Sequence, residues 1–414
     1  MRKQLPDRGT DWPSLREQLL ALGRDDVDWR RARTAVYVFN AGEDVLNVAK
    51  EAYSLYQSEN ALGPAAFPSL RRMESEVVEI GLSLLGAPDD ACGDLTSGGS
   101  ESIFLAVKAC RNQARAEGRV ADGGCVVLPR SAHPAFDKAA GVLGLRVVRV
   151  PVAADLRADV RAMAEAITRD TLMIVGSAPC FPYGVIDPIA ELGALARETG
   201  TWLHVDACVG GYFAPFARMN GLALTAFDFA VPEVRSISAD LHKYGYTAKG
   251  ASTLFHRSEA QREHQVFTFD AWPAGGMRTA TAAGTRPGGA IASAWAVLHY
   301  LGVDGYRAKA RAVTDTRALL MNGIRAIPEL CTFGEPQLGL FSYGSERLDI
   351  FAVWKQLALR GWFTGLLTEP RGIHLMLSPA HAQVADEYLA DLREATDAVR
   401  RSGECAAETR ARYT

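Results

Sequence analysis

Three short runs in this chain hold residue types that do chemistry, and they follow one another in a fixed order. The first, Asp94-Leu95-Thr96-Ser97-Gly98-Gly99-Ser100-Glu101-Ser102, leads directly into a helical pattern. Small side chains there let a ligand approach the backbone, and the free N–H groups at a helix start favour an anion such as a phosphate. The run is neither a P-loop nor a G-x-G-x-x-G fingerprint, and alone it is equally well an ordinary serine cap after a glycine turn. The second, Leu203-His204-Val205-Asp206-Ala207-Cys208-Val209-Gly210-Gly211, is an apolar run ending in a carboxylate. At the carboxyl end of a parallel strand that carboxylate faces the ligand crevice, where it needs a cationic partner; the plainer alternative is a helix cap. The third, Ser236-Ile237-Ser238-Ala239-Asp240-Leu241-His242-Lys243-Tyr244-Gly245, takes a strand end into a polar turn with adjacent His and Lys. A lysine amine forms a Schiff base with an aldehyde when its surroundings allow a neutral fraction, although a solvated loop lysine is the commoner case.

Together the three change the odds. A phosphate cradle, a strand-end carboxylate and a downstream His-Lys are the parts that a pyridoxal 5'-phosphate (PLP) site requires. The cradle takes the phosphate, Asp206 keeps the pyridine nitrogen protonated, and Lys243 holds the aldehyde.

The elements that must position these residues follow from periodicity. Short continuous apolar runs at 125–128, 146–151, 172–175, 202–205, 236–239 and 252–255 alternate with helical patterns at 101–117, 132–143, 160–168, 189–199 and 210–218. Apolar runs without alternation imply strands buried on both faces, and β/α alternation implies a mostly parallel sheet with helices on either side. The expected fold class is therefore α/β, with a small α+β unit (strands 338–343 and 373–377, helices 350–360 and 383–401) after long helices at 291–301 and 306–327. Amphipathic stretches at 12–22 and 45–56 precede a Gly/Pro loop and a helix at 69–85. The expected division is an N-terminal helical arm, 1–57; a large cofactor domain, 58–300; a small C-terminal domain, 301–401; and a frayed polar tail, 402–414.

Composition narrows the class. A net charge of −3 over 414 residues argues against nucleic acid as the partner. There is no apolar run long enough to span a bilayer, and residues 1–29 lack the apolar core of a signal peptide, so a cytoplasmic, non-membrane protein is expected. Seven scattered cysteines without C-x-x-C spacing read as reduced thiols, with no metal site. Of 45 basic residues only eight are lysines, and two of these, Lys243 and Lys249, fall within seven residues of each other.

Further runs extend the pattern: Ala132-His133-Pro134-Ala135-Phe136-Asp137-Lys138-Ala139, Phe181-Pro182-Tyr183-Gly184-Val185-Ile186-Asp187-Pro188, Ser236 through Gly250, and Gly284-Thr285-Arg286-Pro287-Gly288-Gly289. With the first two runs above, they make the chain resemble the PLP-dependent carbon–carbon lyases related to sphingosine-1-phosphate lyase, within the group II decarboxylase superfamily of fold type I. The resemblance covers most of residues 30–400. It implies Lys243 as the Schiff-base lysine, Asp206 as the pyridinium partner and His133 stacked on the ring. It also implies Gly99 and Ser100 on the phosphate with His242 beside them, and Gly288-Gly289 reaching the phosphate of a second subunit, hence a homodimer with active sites at the subunit interface. The implied reaction is decarboxylation or retro-aldol cleavage at Cα of a small amino acid or amino alcohol. An aminotransferase on the same scaffold is the alternative, and an inactive relative a more distant one.

Two departures bear on the substrate. The sphingosine-phosphate enzymes carry Asn-Pro-Leu-His, whose His helps hold the substrate phosphate; this chain reads Asn60-Ala61-Leu62-Gly63. Tyr37 and Lys249, at other substrate-phosphate positions, are present. By analogy with aminotransferases, Arg371 before the strand at 373–377 is a candidate clamp for a substrate carboxylate.

Overall fold

The computed structural model describes residues 2–119, 123–406 and 408–412. The sheet expected from the apolar runs is present, with seven strands in the order β1-β7-β6-β5-β4-β2-β3. They are β1 (Cys92–Thr96), β2 (Cys125–Pro129), β3 (Arg146–Val150), β4 (Thr171–Ser177), β5 (Trp202–Asp206), β6 (Val234–Ala239) and β7 (Ser252–His256). Only β7 runs against the others. Every residue of β2, β4 and β5 is buried, which is why these strands read as unbroken apolar runs rather than alternating ones. Strand β1 is not legible in the sequence, because Cys-Gly-Asp-Leu-Thr has neither an apolar run nor a period of two.

Helices α1 (Trp12–Leu22), α2 (Glu43–Leu55) and α3 (Pro68–Leu84) precede the sheet, α4 (Gly99–Ala116), α5 (Ala135–Leu143), α6 (Val160–Ala166), α7 (Ile189–Thr199) and α8 (Ala214–Met219) connect its strands, and α9 (Glu259–Glu263) follows β7. A two-stranded hairpin, β8 (Phe267–Phe269) and β9 (Met277–Thr279), leads into α10 (Gly288–Arg325). The two long helices expected there are one continuous element interrupted at Gly302, whose φ of 52° is open to glycine at little cost. No helix of the described residues is long and apolar enough to cross a membrane.

A second, antiparallel sheet has the order β10-β11-β13-β12, with β10 (Cys331–Thr332), β11 (Leu340–Gly344), β12 (Gly365–Thr368) and β13 (Arg371–Met376), covered by α11 (Ile350–Leu359) and α12 (Ala385–Ser402). The N-terminal segment is tied to this sheet: the Ala35 amide donates to Phe363 O (3.0 Å) and the Met376 amide to Ala35 O (2.7 Å). That seam delivers Tyr37 to the edge of the crevice.

The tail differs from the expected fraying. Ala406 is 2% exposed, its amide donates to Asp349 Oδ2 (2.8 Å), and the Gln356 side chain reaches Glu404 (3.1 Å). Small residues here fill a gap against α11 that polarity alone does not reveal. Residues 407, 413 and 414 of that tail lie outside the described residues.

Candidate active site

The carboxyl ends of β1, β2, β5 and β6 open on one side of the large sheet, so the residues that follow them converge. Gly99, Ser100, His133, Asp206, His242 and Lys243 line one cavity of about 390 Å³ there. Six positions separated by up to 144 residues in sequence thus meet at one site.

Asp206 ends β5 and is 9% exposed. Its Oδ1 accepts from the Cys208 amide (3.1 Å) and from Ser238 Oγ (3.4 Å). Among the described residues no donor reaches Oδ2, so one carboxylate oxygen is fixed by the protein and the other is left to the cavity.

The phosphate cradle is the turn from β1 into α4. Ser97 donates both its amide (2.7 Å) and its hydroxyl (2.6 Å) to Glu101 Oε2, while Glu101 Oε1 accepts from the Ala282 amide (2.8 Å). Glu101 therefore closes the turn and ties it to the loop before α10. The first-turn amides of Gly99 and Ser100 have no intrahelical acceptor. A Cβ at Gly99 would stand 2.8 Å from Cys208 Sγ and 3.0 Å from both Asp240 oxygens, so only glycine fits. Two buried polar atoms beside the cradle, His242 Nδ1 and Asp240 Oδ1, have no protein partner. A close backbone approach, free amides and unpartnered polar atoms around a strand-end carboxylate and a lysine are what PLP needs, and the residues fit that group.

Lys243 Nζ lies 3.0 Å from Asp240 Oδ2. Burial alone would push the Lys243 amine down, but the carboxylates of Asp240 and Asp206, with Cys208 beside them, outweigh it and hold the amine above the ordinary lysine range. Burial likewise opposes ionisation of Asp240, yet Lys243 and His242 keep its carboxyl below the usual value.

His133 sits between β2 and α5. Its Nδ1 accepts the Ala135 amide (3.1 Å), so in the neutral ring the proton is on Nε2. Burial lowers its pKa and favours that neutral form. The loop is held by Arg149, whose Nη1 donates to Arg130 O and Ala132 O (both 3.0 Å) while its other nitrogens pair with Asp137 on α5.

The substrate candidates separate. Lys249 Nζ donates to Tyr37 O (3.0 Å) and His242 O (3.3 Å), on the wall of a second, mainly apolar cavity of about 370 Å³ that includes Phe39, Val45, Tyr53 and Tyr246. His242 lines both this cavity and the cofactor cavity. Tyr37 lines a third, of about 850 Å³, which shares His133 and Phe181 with the cofactor cavity. Arg371 does not join them: its Nη2 donates to Asp349 Oδ1 (2.9 Å) and its guanidinium lies 3.9 Å from the Phe351 ring centroid. As the first residue of β13 it faces α11, which corrects its assignment as a carboxylate clamp.

Gly288 and Gly289, expected at the phosphate of a second subunit, pack against their own chain. Both are buried at the start of α10. The Gly288 amide donates to Glu59 O (3.0 Å), and a Cβ on either residue would stand 2.7–2.8 Å from a backbone oxygen of Tyr53, Tyr56 or Glu59. Their smallness lets α10 pack on α2, whereas Ala282, Ala283, Thr285 and Pro287 are the exposed residues of that loop. The run Asn60–Gly63 folds onto the same loop, with Asn60 Nδ2 donating to Thr285 Oγ1 (3.2 Å).

Asp240, Arg149 and Glu101 were not singled out by sequence, although Asp240 stands three residues before Lys243 in a run already under scrutiny. A carboxylate one turn from a candidate nucleophilic amine was the available signal. Arg149 gave none, because nothing in its strand ties it to the loop carbonyls or to Asp137, twelve residues earlier.

Comparison with known proteins agrees with this geometry. Residues 3–344 match the model of the pyridoxal-dependent decarboxylase conserved domain. Sphingosine-1-phosphate lyase of Arabidopsis thaliana is 41% identical over 384 residues, covering 91% of this chain and 70% of that protein. Sphingosine-1-phosphate lyase 1 of Rattus norvegicus is 39% identical over 395 residues, covering 95% and 69%. Among solved structures, a sphingosine-1-phosphate lyase of Burkholderia pseudomallei superposes with a TM-score of 0.93 at 38% identity, covering 97% of this chain and 94% of that one. Glutamate decarboxylase of Lactobacillus brevis shares the fold, with a TM-score of 0.84 at 20% identity and coverage of 98% and 97%.

Proposed function

The chain belongs to the pyridoxal-dependent decarboxylase family, and from that premise we propose that it cleaves a phosphorylated β-hydroxy amine of the sphingosine-1-phosphate type by retro-aldol chemistry. It is a PLP-dependent carbon–carbon lyase of fold type I that acts on a small molecule. When bound, PLP supplies an electron sink for the pair left at Cα after bond cleavage.

The residues divide the work. Lys243 would supply the amine that attaches the cofactor, Asp206 would partner the ring nitrogen, and the Gly99 and Ser100 amides with His242 would receive the phosphate. His133 would stack on the ring and, as a neutral imidazole, holds one transferable proton on Nε2. In the cleavage, the bond between Cα and the carbinol carbon breaks, the hydroxyl proton passes to a base, and an aldehyde leaves. The amine-bearing fragment then takes a proton at Cα, and the Lys243 ammonium beside Asp240 is its donor.

The observation that carries the choice of substrate is the position of Lys249. Its amine stands on the wall of the apolar cavity, one residue layer (His242) from the cofactor, where a phosphate monoester meets a cation and an aliphatic chain meets Phe39, Val45 and Tyr53. Arg371 is committed to Asp349, which leaves a substrate α-carboxylate without that clamp. The test is incubation of the PLP-loaded protein with a phosphorylated amino alcohol, its dephosphorylated form and a set of amino acids, followed by mass analysis. Aldehyde release from the phosphorylated compound alone supports the reading. CO₂ without aldehyde would replace it with decarboxylation, and transfer of the amino group to a keto acid with aminotransfer.

The exposed loop of Ala282, Ala283 and Thr285, tied to the cradle through Glu101, supports a homodimer in which this loop reaches the partner's site. Light scattering on the purified protein tests that state directly. The acidic pI of about 6.3 and the scattered thiols fit a cytoplasmic location.

A further inference from the structure

Beneath Asp206 lies a row of polar side chains that the reaction does not touch. Trp202 Nε1 donates to Ser236 Oγ (2.8 Å); Ser236 Oγ meets His204 Nδ1 (2.8 Å); His204 Nε2 meets Ser238 Oγ (3.2 Å); and Ser238 Oγ donates to Asp206 Oδ1 (3.4 Å). All five residues are buried, His204, Trp202, Ser236 and Ser238 completely.

The direction of every bond in this row follows from its last member. A carboxylate oxygen only accepts, so Ser238 spends its single hydrogen on Asp206 Oδ1 and must accept from His204 Nε2–H. The neutral ring then has a bare Nδ1, which accepts from the Ser236 hydroxyl. Ser236 Oγ in turn accepts from the Trp202 indole N–H. The row runs one way, and each bond polarises the next. Pairing between β5 and β6 enforces it: His204 stands opposite Ser236 and Asp206 opposite Ser238, which puts the four side chains on one face of the two strands.

We infer that Trp202, Ser236, His204 and Ser238 form a one-way hydrogen-bond row whose task is to hold the Asp206 carboxylate correctly turned toward the place the cofactor's ring nitrogen would take. His204 is thus a positioning residue, acting through Ser238 and Asp206. A ring that switched to the Nδ1–H form would reverse the row and turn the Ser238 hydrogen away from the carboxylate. Burial pushes the His204 pKa down to about 4, with Asp206 opposing and His256 reinforcing the shift, so the ring stays neutral across the working range. Four other groups pack on the row: Phe136 meets the His204 ring edge-on at 5.6 Å, His256, whose Nε2 is 2.7 Å from Gln265 Oε1, meets Trp202 at 6.0 Å, the Arg235 guanidinium lies 5.8 Å from the Trp202 ring centroid, and the Cys208 thiol, which burial keeps protonated, lies against Ser238. The inference rests on Asp206 being the partner of the ring nitrogen.

The experiment has two readouts, one of which needs neither cofactor nor turnover. First, ¹⁵N NMR of the histidine-labelled apo-protein, with the His204 signals assigned by their loss in His204→Gln, is expected to show that ring neutral and protonated on Nε2 from pH 5 to 9; Trp202→Phe, which removes the donor to Ser236 Oγ and frees that oxygen to accept, should populate the Nδ1–H form. Second, with ¹⁵N-labelled PLP bound, Ser238→Ala should lower the pH at which the ring nitrogen loses its proton by about one unit, a tenfold change. Ser236→Ala serves as the second variant for the first readout if Trp202→Phe does not fold. An Nδ1–H form of His204 in the unmodified protein overturns the inference, as does a ring-nitrogen titration unmoved in Ser238→Ala. Failure of the substrate proposal would leave the apo-protein tautomer unaffected, so the two are distinguishable.

Discussion

Lys243 Nζ and Asp240 Oδ2 are 3.0 Å apart, with the carboxylate only 2% exposed and the lysine side chain 22% exposed. The pair spans one turn of the loop after β6, so the amine is held before any ligand arrives. An ammonium needs this partner, because part of its hydration has been removed. The same contact makes the amine a reluctant nucleophile in the free protein and a ready acid once it is released.

Replacing Asp240 by Asn removes the charge and keeps the shape. The amine's pKa is raised by its partner, so the substitution lowers it and enlarges the neutral fraction at pH 8. The apo-protein's Lys243 should then react with an amine-acylating reagent at least ten times faster, read by peptide mass spectrometry. Removing one member of a buried pair also costs about 3 kcal/mol of folding stability, visible in urea unfolding. Equal acylation rates in the two proteins would remove Asp240 from this role.

The two glycines of the cradle make a sharper comparison. At Gly99 an added methyl meets Cys208 Sγ at 2.8 Å and the Asp240 carboxylate at 3.0 Å, whereas at Gly98 its nearest neighbour is His242 Cε1 at 3.5 Å. Gly98 has a φ of 163°, extended backbone open to any residue. Gly99→Ala should therefore weaken PLP binding at least tenfold, with Gly98→Ala within about threefold of the unmodified protein. Titration of the apo-proteins with PLP, followed by absorbance, gives both values. Equal losses at the two positions would mean that backbone freedom rather than close approach governs the turn.

Arg149 offers a test of positioning at a distance. It grips two carbonyls of the loop that presents His133 and pairs with Asp137 at the start of α5. Arg149→Met should release the loop, lowering kcat about tenfold and weakening the visible circular dichroism of bound PLP, with the melting transition only slightly lower. Arg149→Lys, which supplies hydrogen bonds but not the planar fork, should recover part of the dichroism. A change in kcat without any change in dichroism would point to a role other than ring stacking.

The parts of this site that were legible in the sequence are those that sit at strand ends in contiguous runs. Asp206 and Lys243 each close an apolar run, and Gly98-Gly99 opens a helical one; buried parallel strands and helix starts leave just such marks. What stayed hidden is pairing across long separations. Ser238 is read as a strand residue until register sets it opposite Asp206. Arg371 looked available because a basic residue before a strand says nothing about which layer it faces, and α11 supplies Asp349 only in three dimensions. The packing of Gly288-Gly289 on α2 is likewise invisible in the sequence, where only the glycines and not their neighbours are written. The polar tail was expected to fray for the same reason: Asp349, its anchor, lies 57 residues away from Ala406.

The last expectation concerns pH. Burial, with the charge of Lys243 nearby, pushes the Lys249 amine down to about 8. Its cationic form therefore predominates below that pH and is lost above it. A phosphate monoester takes up its second negative charge near pH 6. For a phosphorylated substrate kcat/KM, which reports the free reactants, should rise through about pH 6 and fall through about pH 8. Lys249→Met should raise KM for that substrate roughly ten- to a hundredfold, in keeping with loss of a charge-assisted hydrogen bond, and abolish the upper limb. The dephosphorylated amino alcohol should show neither limb from this pair and little response to the substitution. A fall near pH 8 that survives in Lys249→Met would assign it to another group and detach Lys249 from the substrate phosphate.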